Sequence, residues 1–353
     1  LALCNFCLIL SIIFSFVYSS WALKFYSQSY PDKKIDSLIA KGISFIVNGK
    51  YKKAEEIFIT VKSEYPNLPI GDIYLAANLI AKSEDLVEPL ENDQIISFFE
   101  NAEKISKRNL EKNPDDLWIK YFEALRIGYY SYYLGVKKSY IKAFDKAIKA
   151  KNLFQEIYKN NPNFYEALFA IGSYKYWKSS KLSFLTWTPL LDDEKEEGLR
   201  MLEEGALKSN YNFYLAAYSL FWAYLDSKKF EKAKEISEQM ISRWKESRFF
   251  MEIRARALEE FDLELAAKYY YEIIESLRKE SLLTPINELY YLHKVARTYF
   301  KVKQVNKARE IVERSLRIEN KFEDKKRLEL FEAQRKKFLK LKNEIQEYEK
   351  QNK

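Results

Sequence analysis

In the stretch Ile35 to Leu68, IDSLIAKGISFIVNGKYKKAEEIFITVKSEYPNL, small, bulky and proline residues stand at fixed places among the polar ones. Gly42, Phe45, Gly49, Tyr51, Ala54, Phe58 and Pro66 occupy positions 8, 11, 15, 17, 20, 24 and 32 of a 34-residue unit. Small residues at 8 and 20 let two helices approach closely, and the bulky residues at 11, 17 and 24 fill the space beside them. Proline at 32 cannot continue the second helix, so it marks the end of the unit. The pattern predicts a pair of helices, A and B, joined by a short turn.

The small residue of helix B recurs along the chain. Ala54, Ala102, Ala150 and Gly198 are each 48 residues apart, and Pro66, Pro114 and Pro162 keep the same interval. Ala233, Ala267 and Ala308 continue the series at 35, 34 and 41. Near the end Ala296, Tyr299, Val305, Ala308 and Val312 again take positions 8, 11, 17, 20 and 24. Together these positions resemble the tetratricopeptide repeat, and the resemblance covers about four fifths of the chain. It implies an all-α fold, a right-handed α-α superhelical solenoid of about seven helix pairs with a C-terminal capping helix. The units fall near 35–68, 69–115, 116–162, 163–210, 211–247, 248–283 and 284–320, with a charged terminal helix and tail over 321–353. Units two to four are longer than 34 residues. The surplus between Gly128 and Ala150, and between Gly172 and Gly198, reads as insertions in the turn from A to B. A third such insertion is expected around SEDLVEPLEND (83–93), and three on one edge would make a raised rim.

Composition supports a helical reading. The 353 residues are 47% hydrophobic with only 8 Gly and 8 Pro, so a core can form and breakers are few. Tyr and Phe number 27 and 24; as mediocre helix formers they are expected where packing or recognition requires them. The net charge is +8, and from Lys321 onward eleven Lys/Arg face seven Asp/Glu. Their signs are interleaved, which reads as a solvated helix face and not as a nucleic-acid footprint.

Residues 1–23 carry no charge and hold an apolar run from Phe6 to Val17. Ser20 and Ala22 stand at the −3 and −1 places of a small-x-small cleavage site, which predicts a signal peptide over 1–22 and a linker over 23–34. The alternative is an uncleaved membrane tether through 1–23, since about 20 apolar residues span a bilayer. Either way an exported protein of the periplasm or cell envelope is expected. Cys4 and Cys7 both lie in this segment, so the mature chain would hold no cysteine and no thiolate metal site.

His293 is the only histidine, and no phosphate-binding glycine loop or nucleophile motif is present. A non-catalytic protein without cofactor or metal is expected. Asp192, Asp193, Glu194, Glu196 and Glu197 precede GLRMLEEGAL and read as the capped, acid-rich start of a helix B. The apolar residues before them, including Trp187, Pro189, Leu190 and Leu191, either close the loop against the solenoid or form a docking knob for a partner.

In the tetratricopeptide family, helix A positions 2, 5, 9, 12 and 13 face the concave groove. The resemblance puts Phe122, Tyr129, Tyr132 and Tyr133 there in unit three, Phe169, Tyr176 and Trp177 in unit four, and Tyr218 and Trp222 in unit five. Later units contribute Arg256, His293, Arg297 and Lys301, so the groove would pass from aromatic to basic. The family's carboxylate clamp is not reproduced, because Ile39 and Ile43 hold positions 5 and 9 of unit one. The expected function is binding of a peptide or protein partner along this groove. Two alternatives stay open: a glycan or small-ligand binder, favoured if Tyr132, Trp177 and Trp222 cluster exposed, and a membrane-tethered assembly scaffold.

Overall fold

The computed structural model describes residues 28–181 and 193–352. The segment 1–27, with Cys4 and Cys7, and the docking candidates Trp187 and Leu190 lie outside the described residues. The described chain is all-α. Successive pairs are α1 (Lys33–Val47) with α2 (Tyr51–Glu64), α3 (Ile70–Asp85) with α4 (Asn92–Lys112), and α5 (Leu117–Val136) with α6 (Tyr140–Asn160). Then come α7 (Leu168–Lys181) with α8 (Lys195–Lys208), α9 (Phe213–Asp226) with α10 (Phe230–Arg243), and α11 (Arg248–Leu258) with α12 (Leu263–Lys279). The seventh pair, α13 (Pro285–Lys301) and α14 (Val305–Leu316), is followed by the long α15 (Lys325–Gln351).

Inside the pairs, small residues let the two helices approach closely. A Cβ on Gly42 would run into the Phe58 ring, and Phe58 in turn stacks on Tyr74 of the next pair at 4.9 Å. In the fourth pair a Cβ on Gly172 would sit 2.8 Å from the Gly198 carbonyl oxygen, so α7 and α8 cross backbone to backbone. Ala54, Ala102, Ala150, Ala233, Ala267 and Ala308, the recurring small residues of helix B, are all buried. Side chains close several helix N-termini: Asp32 accepts from the Lys34 and Ile35 amides, and Thr284 and Asn287 form a reciprocal capping box on α13.

The longer units are built differently from the expectation. In the third pair the turn between α5 and α6 spans only residues 137–139, while the helices grow to 20 and 21 residues. In the second pair the turn is 86–91 and α4 has 21 residues. The surplus has mostly become extra helical turns, so no rim of loops stands on the second and third pairs. With no proline between Gly128 and Ala150, nothing in that stretch stops either helix from growing. The corresponding surplus of the fourth pair falls largely outside the described residues.

The register of the third pair also shifts. Gly128, expected as its tight small residue, has nothing within 4 Å of where a Cβ would lie. Ala124, one turn earlier, is fully buried and takes the place in the core. One helical turn extends the inner face of α5 back by about four residues, to Leu125 and Gly128.

The chain then closes on itself. Tyr211, before α9, donates to Asp36 of α1 and accepts from the Tyr30 amide at 2.8 Å. Ser247, before α11, donates to the Val47 carbonyl at 2.6 Å. Arg248 reaches Asp85 at the end of α3 through Nε and Nη2 (3.1 and 2.6 Å) and Glu280 through Nη1 at 3.0 Å. Glu280 also receives Lys50. The Arg248 and Asp85 side chains are almost wholly buried, and Gly49, at φ +70°, leaves the space that Arg248 fills. Asn287 of α13 adds a bond of 3.4 Å to the Leu86 carbonyl. The first two pairs thus meet the fifth to seventh, making a ring with the A helices inside.

At the end of the chain, α15 packs along α13 through His293 against Phe338, Arg297 with Glu344, and Phe300 against Tyr348. Its buried residues Phe331, Gln334, Phe338, Leu341 and Ile345 recur at three and four. The charged terminal segment is therefore an amphipathic helix that covers the last pair.

Candidate functional site

The inner face of the ring frames a half-open cavity of about 930 Å³. Its wall comes from the C-terminal halves of α1 and α3, from α5, α7 and α9, and from the flank of α6 that shows between α5 and α7. Among the sequence candidates, Tyr129, Tyr132, Trp177, Tyr218 and Trp222 all line it, as does Phe169. On α9, Tyr218 lies 6.0 Å from Trp222, and across to α11 it stacks on Phe249 at 4.3 Å. Tyr129 and Tyr214 share a hydroxyl contact of 3.3 Å.

Polar groups in the wall are few. Glu84, from the last turn of α3, accepts the Tyr132 hydroxyl. Both residues are open, Tyr132 at 48%, but the open surface looks into the cavity and the surrounding wall desolvates them. Burial accordingly pushes the Glu84 carboxyl above the usual range, with the Glu252 charge adding and the Tyr132 hydrogen bond opposing. Burial also pushes Tyr129 up to about 12, so both stay in their neutral forms more readily. Ser173 Oγ, in the wall of α7, has no hydrogen-bond partner among the described residues.

The cations at the wall are Lys151, Lys178 and Lys181. Lys178 meets Glu194 at 2.9 Å, and Lys181 meets Asp226 at 3.6 Å and lies over the Trp177 ring. Lys151 lies 5.0 Å over Tyr174 and donates to Gln155; burial lowers its pKa, with the Glu194 charge opposing that.

Other candidates stand elsewhere. Tyr133 turns away to donate to Asn92 at 3.0 Å, as the register shift in α5 requires. Phe122 is fully buried beside Tyr30 and Trp118. Tyr176 is buried against α8 and α9, donating to the Ala223 carbonyl and to Asp226. The basic end of the expected groove is neutralised within the protein: Arg256 meets Glu259 and Glu260, Lys301 meets Glu259, and Arg297 meets Glu344 of α15. The acids at the start of α8, with Glu196 and Glu197 in its first turn as expected, have a similar role. Glu194 and Glu197 bind Lys175 at 2.6 Å each, and Glu196 binds Lys229. The Glu194 amide is held by Ser179 Oγ, and only Asp193 reaches a helix-start amide, that of Lys195 at 3.1 Å. Asp192 lies outside the described residues.

Sequence reasoning missed Glu84, Leu125, Gly128, Phe144 and Phe249. The first three lie one helical turn or one pair away from the assigned groove positions, and Phe144 belongs to a helix B. Among the described residues no cluster of three His, Cys, Asp or Glu could hold a metal, and no helix is long and apolar enough to cross a membrane.

Neither a protein-family model nor a curated protein sequence matches the chain. Among solved structures it is similar to the C-terminal part of a TPR repeat-containing protein from Cytophaga hutchinsonii, at 17% identity and TM-score 0.40, covering 83% of this chain and 98% of that one. A tetratricopeptide repeat protein from Parabacteroides merdae is similar at 14% identity and TM-score 0.35, covering 87% and 100%. NprR in complex with its cognate peptide NprX matches at 12% identity and TM-score 0.43, covering 90% and 86%. The fold assignment stands on this chain's own helix pairs.

Proposed function

We propose that this chain is a non-catalytic repeat protein that takes an apolar segment of a peptide or protein partner into the ring cavity. The convergence of Tyr129, Tyr132, Trp177, Tyr218 and Trp222 on one space of about 930 Å³ carries the reading. That volume is in the range of sites that hold a ligand, and aromatic walls supply contact area at low entropic cost. Acidic groups of the partner would meet Lys151, not the ion-paired Arg256, Arg297 and Lys301. A glycan fits less well. Its hydroxyls would lose water against a wall whose polar groups are few, and those of Ser131 and Tyr129 are already engaged. The reading places the protein in the cell envelope, supported by the uncharged apolar start and the Ser20/Ala22 pattern.

A photoreactive phenylalanine analogue in place of Tyr132 tests it, because that half-open ring already faces the cavity and its replacement adds little bulk. The expected result is an in-cell adduct with one polypeptide, lost in Trp222→Ala. An adduct that forms equally at exposed Arg200, or that survives Trp222→Ala, sinks the proposal.

A further inference from the structure

The tip of the lengthened third pair carries an apolar patch that reaches the cavity only through Phe144. This tip is formed by Val136, the turn Lys137–Lys138–Ser139, and the first turns of α6. Ile141 is 88% exposed, Tyr140 66%, Phe144 51% and Val136 43%. Isolated exposed apolar residues are ordinary, but four large ones within nine residues form a patch. On α6, Ile141, Phe144 and Ile148 fall at i, i+3 and i+7, one stripe along the helix.

The charges around the stripe have one sign. Residues 136–151 contain Lys137, Lys138, Lys142, Lys146, Lys149 and Lys151 against the single Asp145. Asp145 is bound to Lys149 at 2.9 Å, while exposed Lys137, Lys138 and Lys142 have no carboxylate within 4 Å among the described residues. An amphipathic stripe edged by lysines is the composition that seats a helix at the boundary between headgroups and acyl chains. Long lysine side chains reach upward to phosphates while their stems stay against apolar surface. Each lysine brought to an anionic surface contributes roughly a fivefold gain in affinity.

We propose that the α5–α6 tip is a peripheral docking site for an anionic lipid bilayer, with Tyr140 and Ile141 entering the interface and Lys137, Lys138 and Lys142 meeting the headgroups. A flat acidic protein would meet the lysines but leave Ile141 and Tyr140 without an apolar environment. A second copy would bring six lysines against six.

The test is flotation of the full chain with phosphatidylcholine vesicles, with and without about a third phosphatidylserine, combined with lysine acetylation footprinting. The footprint reads the tip directly and separately from any affinity of residues 1–27. Phosphatidylserine vesicles should protect Lys137, Lys138 and Lys142 at least threefold, leave exposed Lys52 and Lys325 unchanged, and lose this protection as salt is raised. Ile141→Asp should abolish the protection with unchanged helicity, since that side chain makes almost no contacts to lose. Lys137→Glu with Lys142→Glu should do the same. Equal protection on neutral vesicles, no protection, or a dimer in sedimentation that Ile141→Asp disperses would each overturn the proposal.

Discussion

His293 shows how a single side chain reports on its surroundings. It packs edge-on to Phe338 of α15, and burial with Lys337, Arg297 and Lys294 nearby pulls its pKa down to about 4. The unfolded chain, near 6.5, binds the proton first. Stability is therefore fully present above pH 6.5 and is lost as pH falls from there toward 4. The shift is worth on the order of 2 kcal/mol once partial exposure is discounted. His293→Gln should flatten that part of the stability curve in urea titrations between pH 7 and 4; an unchanged slope would remove His293 as the cause. Arg248 is a second such residue. Asp85→Ala leaves its guanidinium buried with only Glu280, which should cost roughly 3–5 kcal/mol in denaturant unfolding. Arg248→Met, which removes the charge with the need for it, should cost clearly less.

At the scale of helices, the exchange of loop for extra turn in the third pair decides what the cavity is. Lengthening α5 and α6 brings Tyr129 and Tyr132 to the wall and leaves Gly128 as an open notch in it. Gly128→Ala should stabilise by up to about 1 kcal/mol, the usual helix-propensity gain where no neighbour objects. Gly128→Phe should fill the notch and abolish partner binding while thermal unfolding stays near wild type; binding retained with the cavity filled would separate function from this space. The helices themselves were legible in the sequence, because glycine and alanine at close crossings leave a periodic trace. Gly42 against Phe58 and Gly172 against Gly198 are where the 34-residue pattern put them. The register of α5 was not, since Ala124 and Gly128 are both small and one turn apart, and only the partner helix chooses between them. The roles of Tyr133, Tyr176 and the C-terminal basic residues were equally hidden. A tyrosine that donates across a pair and one that lines a void have the same local sequence signature. Ion pairs such as Arg297 with Glu344 join residues 47 apart, which periodicity within one unit does not register.

The whole molecule departs from a chain of repeats in which each unit touches only its neighbours. The contacts of Ser247 with Val47, Arg248 with Asp85 and Asn287 with Leu86 span 200, 163 and 201 residues. An open array unravels from its ends in steps, whereas a ring joined at a buried ion cluster should unfold more nearly as one body. Hydrogen exchange should accordingly find α1 and α11 opening together. In Asp85→Ala, α1 should exchange well before α9; uniform exchange in that variant would deny the seam this role. Bringing such distant residues together also predicts slower folding than the helical content alone suggests.

The seam has a further consequence for how the fold can change over generations. An open solenoid tolerates gain or loss of a unit, because every internal junction resembles every other. Here Gly49, Asp85, Arg248 and Glu280 meet only if a fixed number of units lies between them. Duplicating one pair would carry Arg248 away from Asp85 and leave both charges buried without each other. The number of pairs between the second and the sixth is thereby held constant, and variation there is confined to the lengths of individual helices, as the third pair already shows.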